Sequence, residues 1–308
     1  MRVAVIDLGT NTFNLLVAYV SASGSMSVLH KDELGIKLGE GGMNRKIITE
    51  ASFDRGLQGI ETHLRNAGQW NVDNVLTVAT SGIRSAKNGE DFIRQVRERF
   101  GIEVKTITGE EEAGLIYRGV RQAVDMGDKT ALIVDIGGGS NEFIIGGRNH
   151  CLWKKSIDIG IARILEHFKP SDPIGHEEIE QINRYFDEAL QPIYKPIQQY
   201  RPKLFIGCSG TFQTVRNMLM EEGMLKCEYR ELPWFSISYD QFKRLHEKLL
   251  FSTRKEREQM PGLELFRVDM IVLASLFVNF IMQKFGFDQM VQSDYSIKEG
   301  VIDQYINP

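Results

Sequence analysis

Two short segments of this sequence share one pattern. Ile6-Asp7-Leu8-Gly9-Thr10-Asn11-Thr12 and Val134-Asp135-Ile136-Gly137-Gly138-Gly139-Ser140 each run apolar, Asp, apolar, Gly, a small or polar pair, then a hydroxyl. In each, an apolar strand leads in and another leads out. A glycine turn between strands lets several backbone N–H groups converge on one anion, because no Cβ blocks close approach. Gly9, Gly137, Gly138 and Gly139 supply that backbone, while Thr10, Asn11, Thr12, Ser140 and Asn141 add side-chain donors. A single copy would read as an ordinary tight turn, since Asp and Gly are common there. Two copies, one in each half of the chain, suggest two similar domains whose loops face each other across a cleft and hold successive phosphates. Asp7 and Asp135 stand where a strand ends beside those loops, and their expected work is to hold Mg2+, with Mn2+ the alternative. The Walker pattern is absent, which excludes a P-loop enzyme.

Three other segments carry chemistry. Thr108 and Glu111 match a capping box, and acids suit the start of a helix. Glu112 differs from its acidic neighbours, because Leu115, Ile116 and Gly119 follow it at helical spacing and place it on the inward stripe. A carboxylate turned inward is costly without a partner or a task, so Glu112 is the candidate general base that activates water. Glu142 is the second carboxylate, positioned to hold metal or orient that water. Arg84, in Thr80–Asn88 directly after a strand, could fork onto phosphate oxygens; by itself it would read as a surface arginine. Ser209 and Gly210 lie in a small-residue loop between a strand and a helix, which fits either an anion site or close packing. Lys154, Lys155 and Arg163 could add positive charge, although a solvated lysine pair is the commoner arrangement.

These residues need strands that end at a common cleft. Strands are expected at Val3–Ile6, Leu15–Val20, Ser25–His30, Val75–Ala79, Val104–Ile107, Leu132–Val134, Glu142–Ile145 and Leu204–Ile206. Helices are expected from about Thr49 to Ala67, Asp91 to Phe100 and after Thr108. Later ones run over Ile174–Gln199, Thr211–Met220, Tyr239–Leu250, Leu265–Phe285 and Ile297–Tyr305. The domain change is placed near Val124–Lys129, giving residues 1–125 and 126–296, with the closing helix (297–308) returning to the first domain. The 308 residues are 42% hydrophobic and 25% charged, a composition that supports two packed cores rather than a disordered or fibrous chain. A net charge of −4 does not imply nucleic-acid binding. Cys151, Cys208 and Cys227 show no paired spacing, which argues against a disulfide scaffold or zinc site and fits a reducing cytosol. The first residues reach Asp7 too soon for a signal peptide, and the apolar run Met270–Met282 is short of a membrane span, so a cytoplasmic protein without membrane association is expected.

The joint order of these motifs resembles the exopolyphosphatase / guanosine pentaphosphate phosphohydrolase (Ppx/GppA) family of the actin–Hsp70–sugar-kinase superfamily. The segments that carry the resemblance are AVIDLGTNTFNLLV, TSGIRSAKN, ITGEEEAGLIYRGV, VDIGGGSNEFIIG, IGCSGTFQTV, MPGLELFRVDMI and VQSDYSIKEGVID. It implies an α/β fold of two actin-like (ribonuclease H-like) domains with an interdomain cleft. It also implies that Glu112 is the catalytic glutamate, Arg84 a phosphate-binding arginine, Asp135 and Glu142 the acids tied to Mg2+ and water, and Gly137–Ser140 the second phosphate loop. Thr10 and Thr12 stand where serines are usual and keep both hydroxyls. Asn141 replaces a common Thr, and Lys298 stands where Arg is frequent, which loses a bidentate contact. The expected activity is release of terminal phosphate from inorganic polyphosphate. Alternatives are hydrolysis of guanosine pentaphosphate, a nucleotide-binding module without turnover and a sugar kinase; an inward Glu112 favours hydrolysis. Trp153 and Phe212 are the nearest candidates for a guanine-stacking wall, each equally at home in a core, and a homodimer is compatible with all of this.

Overall fold

Strand β1 (Arg2–Leu8) is buried from Val3 onward, as befits a β-branched run with a neighbour on either side. In this computed structural model, which describes residues 1–225 and 232–308, β2 (Thr12–Val20) folds back antiparallel on β1, and β3 (Met26–Gly35) folds back on β2. Strands β4 (Asn74–Ala79) and β5 (Val104–Thr106) extend the other side in parallel, completing the order β3-β2-β1-β4-β5. The connections carry α1 (Glu50–Gly68), the single turn α2 (Ser81–Arg84) and α3 (Gly89–Phe100); α4 (Gly109–Ala123) leads out.

The second sheet repeats this plan. Strands β6 (Ala131–Ile136), β7 (Asn141–Gly146) and β8 (Cys151–Ile157) form an antiparallel meander. β9 (Leu204–Cys208) lies parallel beside β6, β11 (Gln289–Ser293) lies parallel beside β9, and β10 (Trp234–Ser238) adds an antiparallel edge. The order β8-β7-β6-β9-β11 reproduces β3-β2-β1-β4-β5, so the repeat in the sequence is a repeat in topology. Asp7 and Asp135 occupy equivalent places in equivalent strands, opposite Asn14 and Glu142 respectively.

The remaining helices are α5 (Ile161–Phe168), α6 (His176–Ala189), α7 (Gln191–Tyr200), α8 (Ser209–Glu221), α9 (Tyr239–Phe251), α10 (Arg254–Arg257), α11 (Ile271–Phe285) and α12 (Ile297–Ile306). Helix α12 packs on α4 and β1, and both helices lie between the two sheets. Their shared core joins Val3, Val5 and Leu16 of one sheet to Ile133, Ile144 and Ile206 of the other. The contact is backbone-close: a Cβ on Gly300 would stand 1.8 Å from the Leu115 carbonyl oxygen, and one on Gly119 1.9 Å from that of Ser296.

Several expected boundaries move. The single helix expected over Ile174–Gln199 divides at Leu190, because Pro192 has no N–H to donate and crowds the preceding turn. The helix expected from Leu265 starts at Ile271, after a 3-10 turn at Leu265–Arg267. There the chain crosses to the first sheet, with Arg267 paired to Glu33 and Asp269 to Lys37. β8, β10, β11 and α5 went unread, and Arg84 ends a helical turn rather than lying in a loop. Cys227 lies outside the described residues. Among those described, no helix is long and apolar enough to cross a membrane; α11 is apolar all round because it is a core helix.

Candidate active site

The two glycine turns close in the same way. Gly9 N–H donates to the Thr12 carbonyl at 3.1 Å, and Gly137 N–H donates to the Ser140 carbonyl at 3.1 Å. A Cβ at either glycine would meet that carbonyl oxygen at 2.6 or 2.5 Å, so both turns require glycine. Their tips touch across the cleft: Gly138 and Gly139 lie against Thr10 and Asn11 so closely that a Cβ on Gly139 would be 2.7 Å from the Thr10 hydroxyl. Beside them opens a cleft with room for water-sized molecules over about 150 Å³. Its walls include Gly9–Thr12, Gly137–Ser140, Ser209 and Gly210, and the four acids Asp7, Glu112, Asp135 and Glu142.

Each acid reaches the cleft by a different route. Asp7 and Asp135 come from the ends of β1 and β6, and Glu142 from the start of β7. Glu112 sits in the first turn of α4, whose N-terminus is fixed by the Thr108–Glu111 capping box. All four are buried. Desolvation raises every one of them, and their proximity to one another adds to it. Asp7 is pushed up to about 6 and Glu112 to about 7, while Glu142 is held well above the usual carboxylate range.

Their partners distinguish them. Arg84 donates one N–H group from Nη1 to Glu112 Oε2 at 2.9 Å and from the same nitrogen to the Ile107 carbonyl at 2.9 Å. The guanidinium thus braces Glu112 from behind; Arg84 is not among the residues that line the cleft. Glu142 Oε1 accepts from Ser140 (2.8 Å) and from Ser156 of β8 (2.6 Å). Asp135 Oδ2 accepts from Ser209 (2.5 Å) and from Ser296, the N-cap of α12 (3.1 Å). Ser209 has φ of +67°, a left-handed conformation costing on the order of 1 kcal/mol, and it holds its hydroxyl on Asp135. Asp7 Oδ1 is buried without any hydrogen-bond partner.

That orphaned oxygen bears on the metal. Among the described residues no three His, Cys, Asp or Glu side chains converge to hold an ion alone, so an ion at Asp7, Asp135 or Glu142 would need phosphate or water to complete its shell. A free buried carboxylate oxygen beside a second acid and two anion cradles nevertheless fits Mg2+, which takes one or two carboxylates and fills its remaining positions with phosphate and water.

Over residues 16–307 the sequence matches the Ppx/GppA phosphatase family. The chain belongs to that family. The Ppx/GppA protein is similar in structure to an exopolyphosphatase from Cytophaga hutchinsonii ATCC 33406, with 36% identity and a TM-score of 0.96, over 100% of this chain and 98% of the other. A Ppx/GppA family member from Aquifex aeolicus is 25% identical with a TM-score of 0.80, again over 100% and 98%. An exopolyphosphatase-like protein at 23% identity shares the fold, with a TM-score of 0.88 over 99% and 98%. The two sheets are therefore the two actin-like domains of a Ppx/GppA phosphohydrolase.

Sequence reasoning overlooked several cleft residues of this Ppx/GppA protein. Lys31 and Glu33 come from β3, and Arg267 from the turn before α11; Arg267 is paired with Glu33 and Glu264. Arg267 lies inside the segment MPGLELFRVDMI, and its neighbour Asp269 was a further signal there. Ser156 was hidden because the Lys154-Lys155 pair obscures the alternation of β8. Trp153 and Phe212 both pack into the second-domain core and are not a wall of the cleft.

Proposed function

We propose that this protein is an exopolyphosphatase that hydrolyses the terminal phosphoanhydride of inorganic polyphosphate. The observation that carries the reading is the cleft lining: two glycine turns, an inward glutamate, and, among the described residues, not one aromatic side chain. A chain of phosphates needs only repeated N–H and cationic contacts, whereas guanosine pentaphosphate needs an apolar or aromatic face for its base. The name of the similar Cytophaga protein agrees with this choice of substrate.

In the mechanism, the backbone N–H groups of Gly9–Asn11 and Gly137–Ser140 hold the terminal phosphoryl oxygens, with Thr10, Thr12 and Ser140 adding hydroxyls. Glu112 keeps Oε2 on Arg84, which leaves Oε1 to orient a water and take its proton. A basicity raised to about 7 makes Glu112 a better proton acceptor near neutral pH than an ordinary glutamate. Glu142 aligns Ser140, and Asp7 and Asp135 are the carboxylates that would hold Mg2+. Among the described residues the lining carries six carboxylates against three cations, so a polyanion would need divalent cations to offset the negative charge there. Mg2+ supplies charge neutralisation on the phosphoryl oxygens when bound.

Side-by-side kcat/KM values for polyphosphates of defined length and for guanosine pentaphosphate test the proposal. Polyphosphate should give the higher value, falling as salt is added because the contacts are charged. A higher value for the nucleotide would replace this reading with pentaphosphate hydrolysis.

A further inference from the structure

Among the described residues three cations line the cleft, and two of them are already paired. Lys31 is bound to Glu299 at 2.9 Å, and Arg267 to Glu33 and Glu264. Lys298 also lines the cleft, is half-buried, and has no carboxylate within ion-pair distance among the described residues. Its place in the fold is electrostatically wrong by local rules. It is the second residue of α12, the positive end of a ten-residue helix, where a cation is unfavourable by roughly 0.3–1 kcal/mol. The N-cap of that helix, Ser296, donates to Asp135. Lys298 is therefore carried on the same turn that fixes Asp135, and it lines the same cleft as the buried pair Asp7 and Asp135. Its field lowers the basicity of both acids, against the desolvation that raises them.

We propose that Lys298 is a resident counter-charge for Asp7 and Asp135 that sets the affinity for the divalent cation by competing electrostatically with it. The inference rests on the metal reading above and goes one step beyond it. Apart from Lys298, the cations that line the cleft among the described residues, Lys31 and Arg267, are already paired with other acids. With Lys298, the buried acid pair is partly neutralised, and the incoming ion is repelled by a charge that cannot leave. Lys298 is a positioning residue in this account: it acts on metal through the two aspartates and makes no bond to the reacting atoms. A lysine suits this better than arginine would, because its charge is compact and does not fork onto the carboxylates.

The test is Mn2+ binding to the full chain without substrate, followed by the electron paramagnetic resonance signal of free Mn2+ at about pH 8.5 and low salt, where electrostatic differences are largest. Lys298→Met should bind Mn2+ about tenfold more tightly than the wild type, and Lys298→Arg should bind as the wild type does. Lys298→Gln provides a second neutral variant if the methionine protein unfolds early in a thermal melt. The tenfold gap should narrow as salt is raised. Asp7→Asn is the control and should weaken binding. Unchanged or weaker Mn2+ affinity in both neutral variants, with the Asp7 dependence intact, overturns the role of Lys298 alone. Binding that does not depend on Asp7 overturns the metal reading, and the counter-charge with it.

Discussion

Replacing Glu112 by glutamine should make the protein slower and, above neutral pH, harder to unfold. The wild-type carboxyl is raised from 4.5 to about 7 by burial, against the pull of Arg84. Because the folded state holds this proton more tightly than the unfolded chain does, the wild type is favoured most below about pH 4.5 and loses stability as pH rises to about 7. The whole difference corresponds to about 3 kcal/mol. Glutamine has nothing to ionise and still offers Arg84 an acceptor oxygen, and the value of about 7 already includes the pull of Arg84. The net gain for Glu112→Gln at about pH 8.5 is therefore about 3 kcal/mol, shrinking toward zero as pH falls below about 4.5. Urea unfolding of both proteins at several pH values, with a chelator present, measures this directly, and phosphate release from polyphosphate should fall by about 10²–10⁴ in the same variant. A stability gap that stays constant with pH would refute the raised ionisation. Wild-type turnover in the variant would return Glu112 to a structural acid.

Arg84→Ala should lower kcat at least about tenfold and move the acid limb of the pH–rate profile upward, since the guanidinium is what restrains the basicity of Glu112. Lys87→Ala, an exposed neighbour, should leave both unchanged; equal shifts from the two variants would mean that Arg84 acts only as surface charge. Gly300→Ala should cost about 2–3 kcal/mol in urea unfolding, because its Cβ would stand 1.8 Å from the Leu115 carbonyl oxygen and two backbones would have to part. Gly68→Ala, at the end of α1 with open space around it, should be neutral or slightly stabilising.

Much of this was legible in the sequence because the chemistry is local. A glycine turn between two apolar runs announces a strand–loop–strand cradle, and Thr108 and Glu111 announce the start of α4, which then fixes the direction of Glu112. The repeated Asp–apolar–Gly pattern gave the two-domain plan, since equivalent strands must meet equivalent loops. What stayed hidden depends on contacts made far along the chain. Arg84 meets Glu112 only because α4 places that carboxylate against it, a contact that the segment Thr80–Asn88 does not announce. Ser296 stands just before the expected helix Ile297–Tyr305, and only the return of α12 brings it to Asp135. Arg267 reads as part of a long helix, yet Glu33, distant in sequence, holds it and breaks that helix. Polar residues paired across domains carry no periodicity of their own, so the eye passes over them.

The return of α12 has a consequence for how the protein is made. On a ribosome, β1 and α4 emerge early, whereas the helix that covers them emerges only after the entire second sheet has been produced. At about 5–20 residues per second, that interval is on the order of ten to thirty seconds. During it Leu115, Gly119 and the neighbouring face of β1 have no lid, so the nascent first half presents an open apolar seam. The first half therefore completes one face of its sheet only when α12 arrives, while the core on the other face is its own. Its final locking step is the same event that brings Ser296 to Asp135, so the candidate active site and the folded state are completed together.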